Sequence, residues 1–232
     1  SVTNNCYSLT SFVLHINAPL LLTIPEVFAK CNEALPNDAT TVFDLTTKDN
    51  EILGPLGVGK GYTVAYYETD PKQNPTAQPI ADPTAYTNTV NPKTLFVVVT
   101  SKEGCISYTT LTIKVLPLPV PNPTPKPLVV CDDLAPVGSE LFDLTDAEAD
   151  IRNNDNQSLI TYYTNEEDAN LGEETGKVPD PRAYLSATGS VWVRMEANTN
   201  NPADPGCYQV VELLLRVNPL PAIGDANGNV PP

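Results

Sequence analysis

Apolar and polar residues alternate with a period of two along many short stretches of this chain. Leu111, Ile113 and Val115 point one way, while Thr110, Thr112 and Lys114 point the other. Leu95, Val97 and Val99 alternate with Phe96 and Val98. Phe43 with Leu45, Val64 with Tyr66, Ile160 with Tyr162, and Val191 with Val193 and Met195 form further inward-facing sets. Such alternation marks strands with one face on a core. Clusters of Pro, Asn, Asp and Gly separate the stretches, and about seven fall in each ~95 residues. The pattern predicts an all-β fold of tandem immunoglobulin-like sandwich modules. Short helical turns are expected between the sheets. Thr145-Asp146-Ala147-Glu148 reads as a capping box ahead of Ile151, and a second turn is expected around Glu166 to Leu171.

The chain repeats itself at a period of about 100 residues. Cys31 returns as Cys131, Phe43-Asp44-Leu45-Thr46 as Phe142-Asp143-Leu144-Thr145, and Tyr66-Tyr67 as Tyr162-Tyr163. Asp82 to Tyr86 matches Asp180 to Tyr184, and Leu95-Phe96-Val97 matches Val191-Trp192-Val193. Gly104-Cys105 matches Gly206-Cys207, and Pro117 to Pro119 matches Pro219 to Pro221. The matches run in the same order. Cys6 falls on Cys105 and Cys207, and Phe12, Leu14 and Ile16 fall on the inward residues of the last strand. The frame predicts the end of a preceding repeat over 1–19, a full repeat over 20–116, a linker over 117–127, a second repeat over 128–218, and the start of another linker over 219–232. The strand expected from Tyr7 to Ile16 then lacks its own module and needs a partner.

The linker carries proline at every odd position from Pro117 to Pro127. Proline donates no backbone hydrogen bond and pushes the preceding residue to extended geometry, which predicts a stiff polyproline II spacer of up to roughly 34 Å. Collapse of the linker through Leu118 and Val120 is the alternative.

Cysteine usage follows the repeat: two per full repeat and one from the partial repeat make five. Pairing within modules, Cys31 with Cys105 and Cys131 with Cys207, would close loops of about 75 residues, each contributing roughly 4 kcal/mol by chain-entropy reasoning. The alternative staples neighbours, Cys6 to Cys31 and Cys105 to Cys131. Paired cysteines place the chain in an oxidising compartment. One histidine and no CxxC spacing speak against zinc.

Lysine and arginine number 13 against 28 aspartates and glutamates, a formal charge of −15. That balance removes the electrostatic reason to bind nucleic acid or an anionic membrane. No stretch is long and apolar enough to predict a membrane span, and the start of the chain does not read as a signal peptide, so the sequence is expected to be an internal excerpt. The single histidine, His15, matches Lys114 and Arg216 on a polar strand face. No nucleophile–base set, phosphate loop or dinucleotide fingerprint accompanies it, so no catalytic residue and no cofactor is expected.

Two sets of residues are candidate sites. Trp192 with Arg194 could stack on a sugar ring, although Phe96 stands at the equivalent position and favours a packing role. Asp132, Asp133, Asp146, Glu148 and Asp150 form an acidic run that could bind Ca²⁺, against the commoner role of solvated turn and cap residues. Asp225 to Asn229 resembles part of a calcium loop but lacks its glycine and distal glutamate.

The phrases PLVVCDD, LFDLT, ITYY, VPDPRAY, VWVRM, GCYQ and LRVNPLP resemble repeats of giant flavobacterial cell-surface proteins. These are similar to adhesins exported by type IX secretion, including the SprB-type adhesin of gliding motility. The resemblance implies an extracellular, cell-surface, multi-repeat filament. Its partners would be neighbouring repeats, the secretion and motility machinery, and surface glycans or proteins. The first repeat departs from the pattern, with Asn32-Glu33 after its cysteine and an insertion around Pro55 to Gly61. The expected role is a stalk or spacer of an adhesin, with no enzymatic activity. A glycan- or protein-binding module, and an accessory region of a polysaccharide-degrading enzyme, are the alternatives.

Overall fold

The computed structural model describes residues 8–13, 20–133, 138–199 and 201–220. The first repeat contributes β1 (Phe28–Cys31), β2 (Val42–Phe43), helix α1 (Asp49–Leu53), β3 (Thr63–Tyr67), β4 (Tyr86–Thr87), β5 (Lys93–Thr100) and β6 (Ile106–Leu116). The second contributes β7 (Leu128–Cys131), β8 (Ser139–Phe142), α2 (Glu148–Ile151), β9 (Leu159–Tyr163), α3 (Glu166–Leu171), β10 (Tyr184–Ala187), β11 (Gly189–Glu196) and β12 (Tyr208–Asn218). The four-stranded sheets run β1-β6-β5-β3 and β7-β12-β11-β9, and each repeat adds a two-stranded sheet, β2-β4 or β8-β10. The expected immunoglobulin-like sandwich modules are therefore present twice, in one topology.

By packing, the chain resolves into two units. Of the described residues, unit 1 holds those up to Phe28, Val42–Tyr86 and Lys93–Ile113, and unit 2 holds Ala29–Thr41, Thr87–Pro92 and those from Lys114 onward.

In unit 1 the inward residues of the alternating pattern are buried: Phe43, Leu45, Leu95, Val97, Val99 and Leu111 are all fully covered. β5 lies antiparallel to β6 with Leu95 opposite Leu111, so the two inward rows meet on one face. In unit 2 the corresponding core is Phe142, Leu144, Ile151, Tyr162, Val191, Val193, Leu213 and Leu215. β11 lies antiparallel to β12 with Val191 opposite Leu213, and β7 joins the other edge of β12 in parallel, with Cys131 level with Asn218.

The repeated Asp-Leu-Thr word builds the same corner twice. Asp44 accepts the Thr46 N–H at 3.1 Å and Asp143 accepts the Thr145 N–H at 3.0 Å, each capping a 3₁₀ turn. The cap is therefore the aspartate, not the Thr145 expected from the capping-box reading. A short acceptor side chain at the first non-helical residue satisfies the free N–H groups of the turn, and Asp143 stands there. Glu148 pairs with Arg152 at 3.0 Å instead of reaching back. Beneath each corner a buried tyrosine hydroxyl donates to the leucine carbonyl, Tyr66 to Leu45 at 2.9 Å and Tyr162 to Leu144 at 3.0 Å. The turn expected around Glu166 to Leu171 is α3, capped by Asn165 and ended by Gly172 in left-handed geometry, which glycine adopts freely.

The linker is not a free rod. Leu118 and Pro119 are buried, as are Pro121 and Pro125. Asn122 N donates to Ile151 O at 2.9 Å, and Lys126 N donates to Asp150 Oδ2 at 2.7 Å. Asn122 and Lys126 keep their N–H groups, and both find acceptors on α2. The collapsed alternative holds at Leu118, while Val120 stays exposed; proline spacing says nothing about what the backbone lies against. Ser8 to Val13, the described part of the strand expected from Tyr7 to Ile16, forms no strand, and Phe12 is exposed.

Candidate functional site

Cys31 closes β1, and Cys207 immediately precedes β12. Their Cα atoms are 5.5 Å apart and a disulfide joins them across 176 residues of sequence. Both lie in unit 2. Leu116, Leu118 and Cys207 form a small buried cluster there, with Ala29, Cys31 and Ala197 packed against it. Apolar packing covers Cys207 almost wholly, while Cys31 stays half-buried.

Polar clamps hold the cluster. Asn37 donates from Nδ2 to Leu118 O at 3.0 Å, and its Oδ1 accepts Leu118 N–H at 2.8 Å. Asn91 grips Val115 in the same two-bond fashion, at 2.8 Å each way. Lys114 Nζ lies 3.7 Å from the buried Asp204 carboxylate, three residues before Cys207. A cleft of about 380 Å³ opens beside the disulfide, lined by Cys31, Glu33, Glu166, Asn170, Tyr208 and Gln209 among others.

This pairing replaces both expected ones. Strand geometry gives the reason. Cys131 is level with Asn218, whereas Cys207 precedes Tyr208 at the other end of the eleven-residue β12. At about 3.3 Å per residue the strand separates them by roughly 35 Å, far beyond the ~7 Å that a disulfide can bridge. The first repeat is built alike: Asn32 N donates to Leu116 O at 2.8 Å, at the end of β6 opposite to Cys105. The Cys31–Cys105 and Cys131–Cys207 bonds are therefore excluded by the length of the last strand. Cys131 is an exposed free thiol, and Cys105 N donates to Ser101 Oγ at 3.2 Å. The stapling alternative named the wrong partners too, because Cys31 bonds Cys207 and not Cys6. Cys6, His15 and Asp225 to Asn229 lie outside the described residues.

Arg194 has its donors engaged inside the fold. Nη1 donates to Ala169 O and Asn170 O, each at 3.0 Å, and Nε donates to Glu196 Oε2 at 3.0 Å. Trp192 is half-buried on β11 and lines a groove of about 350 Å³ with Leu35, Pro121, Pro123 and Gln209. Linker prolines line the same groove, which fits a packing surface.

The acidic run does not converge. Among the described residues no three His, Cys, Asp or Glu side chains gather as a metal-ligating group. Asp132 Oδ1 accepts Gly138 N–H at 2.8 Å, Asp150 accepts Lys126 N–H, and Glu148 is held by Arg152. Asp133 N donates to Glu140 Oε1 at 2.6 Å, and Asp146 lies in the capped 3₁₀ turn. Turn and cap duties spread these side chains over separate elements.

Of the residues that build the surroundings of the bond, Leu118 was expected as a point of linker collapse, whereas Asn37, Asn91 and Asp204 carry no such signal. The one available signal was the Pro-Leu-Pro word after each last strand, conspicuous because the leucine interrupts the prolines.

Residues 27–119 and 127–221 each match the sequence profile of the Flavobacterium inter-domain disulphide bond domain. The chain belongs to that family. As the family description has it, a disulphide bond joins domains, and Cys31 lies in the first matched segment while Cys207 lies in the second. Two inter-domain disulphide bond domains in tandem make this a structural, multi-domain region of extracellular type. No helix among the described residues is long and apolar enough to cross a membrane. No curated protein matches the chain.

Among solved structures, extracellular domains 3–5 of Drosophila OTK are similar at 15% identity and a TM-score of 0.31, covering 68% of this chain and 52% of that one. The chain thus spans about half the length of the OTK fragment. Titin domains I67–I69 are similar at 6% identity and a TM-score of 0.29, covering 87% and 65%. Human mucin-like protocadherin EC1-2 is similar at 15% identity and a TM-score of 0.23, covering 84% and 96%.

Proposed function

We propose that this chain is a stalk or spacer segment of a secreted flavobacterial surface adhesin, a passive element that projects distal binding regions and takes part in no chemistry. The Cys31–Cys207 bond carries the reading, because it ties consecutive repeats rather than bracing each alone. A covalent tie between repeats serves a load-carrying rod and adds nothing to a catalyst. The family match and the resemblance to adhesin repeats support export from the cell and attachment at its surface. The side chains that could have served a ligand are committed elsewhere: Arg194 to α3, and the acidic residues to turns and caps.

A glycan array probed with the disulfide-intact chain, alongside an array of extracellular proteins, tests the proposal. A spacer gives no saturable binding. A specific glycan that binds wild type and not Trp192→Ala, at unchanged melting temperature, would overturn it in favour of a binding module.

A further inference from the structure

The two halves of the Cys31–Cys207 bond are unequal. Cys207 is 1% exposed and packs with Leu116 and Leu118, whereas Cys31 is half-buried beside the cleft of about 380 Å³. Two exposed glutamates, Glu33 and Glu166, line that cleft. The Thr41 hydroxyl donates to Glu33 Oε1 at 2.8 Å and holds that carboxylate in place. The cations around the bond are already matched: Lys114 with Asp204, and Arg194 with Glu196. Lys30 neighbours Cys31 on β1, where alternation sends it to the opposite face. Among the described residues no cation pairs with Glu33 or Glu166, so the approach to the bond is negatively charged.

We propose that Cys31 is a thiol-exchange site with a charge filter. An incoming thiol attacks at Cys31 and not at Cys207. The cleft admits low-molecular thiols that are neutral or cationic, aminothiols above all, ahead of anionic ones. The chain is the substrate of this exchange and not its catalyst, so the site goes beyond the stalk reading.

The exchange runs in two steps. A thiolate attacks Cys31 Sγ, a new sulfur–sulfur bond forms there, the bond to Cys207 breaks, and the electron pair leaves on Cys207. Cys207 then takes up a proton, and Pro205 O lies 3.6 Å from its sulfur to accept the S–H. A second thiolate attacks the attached sulfur and expels Cys31, which is protonated in turn. Two small thiols become one disulfide, and the two protein sulfurs gain two electrons and two protons. Apolar cover disfavours the departing Cys207 thiolate, which slows every attacker alike. The carboxylates discriminate: across a cleft at moderate salt they slow an attacker about fivefold per unit of negative charge.

The test follows opening of the bond in the full chain by cysteamine, mercaptoethanol and glutathione. Each rate is divided by the thiolate concentration and by the rate of that thiol with a small reference disulfide. Glutathione should lag cysteamine about tenfold at low salt, and the gap should shrink to about twofold at high salt. Glu33→Gln with Glu166→Gln should close most of the gap. Glu167→Gln with Glu173→Gln changes the net charge equally from outside the cleft and should leave it. A brief cysteamine pulse, quenched in acid and labelled with a maleimide in denaturant, should place cysteamine on Cys31 and maleimide on Cys207. Cysteamine on Cys207, glutathione as fast as cysteamine, or a control pair that acts like the cleft pair would each sink the proposal and leave the stalk reading standing. If the untreated chain yields no Cys31–Cys207 peptide, both fall together.

Discussion

The guanidinium of Arg194 lies over the ring of Tyr208, 3.4 Å from its centre. The same side chain reaches past the ring to the last carbonyls of α3, so one residue ties the helix to β11 and β12. Its planar fork serves two carbonyls and a carboxylate at once, which a lysine cannot imitate. Arg194→Ala should cost about 2–3 kcal/mol in urea unfolding, and Arg194→Lys should recover less than half of it. A variant that unfolds like wild type would remove Arg194 from the framework.

Removing the buried hydroxyls tests the two corners. Tyr162→Phe leaves the Leu144 carbonyl without its donor and should cost about 1–2 kcal/mol. Tyr66→Phe should cost more, because the Tyr66 hydroxyl also bonds to Asp49. Thermal melts of the single and double variants should show additive losses, since the corners share no partner.

Asp49 gives the chain a pH signature. Burial holds its carboxyl above the ordinary value of 3.8, the Tyr66 hydroxyl pulls it back down, and the nearby Asp44 charge adds to the rise. A group whose folded pKa is raised favours the fold below its unfolded pKa and loses that contribution as pH climbs through the folded value. Asp49→Asn should therefore gain stability relative to wild type between about pH 3.8 and neutrality, and not below it. Denaturation midpoints across pH 3 to 7 would show a constant offset if Asp49 were not involved.

Cys31→Ser or Cys207→Ser should cost about 2–5 kcal/mol and release one alkylatable thiol on the partner cysteine. Unreduced peptide maps of the wild type should join the Cys31 and Cys207 peptides. A Cys31–Cys105 peptide would contradict the fold as described.

Leu118→Ala should cost about 2–3 kcal/mol, because it opens a hole beside the disulfide. Leu220→Ala, at the exposed counterpart, should fall within about 0.5 kcal/mol of wild type in this chain.

The strands and the doubled architecture were legible because period-two alternation is a local property, and the core row Leu95, Val97, Val99 is written in the sequence before any folding. α3 was legible for the same reason. The disulfide was not. Two cysteines per repeat suggest two bonds within repeats, and only the parallel docking of β7 beside β12 reveals that the first cysteine sits by the end of the last strand. The linker misled in a related way, since proline spacing encodes backbone shape while Leu118 finds its partners at long range. Asp143 could have been found. Its repetition as Asp44, each two residues ahead of a threonine, is the visible trace of the turn it caps.

The position of the sulfur bridge decides where a pull on the two termini travels. Tension entering at the amino end crosses at Cys31 and leaves at Cys207, so the chain between them, a sequence separation of 176, is bypassed. Drawn straight, that stretch amounts to roughly 600 Å of slack. Unfolding either sandwich would not release it; cutting one sulfur–sulfur bond would. The reach of this molecule under strain is governed by the redox state around it, and only secondarily by the stability of its folds.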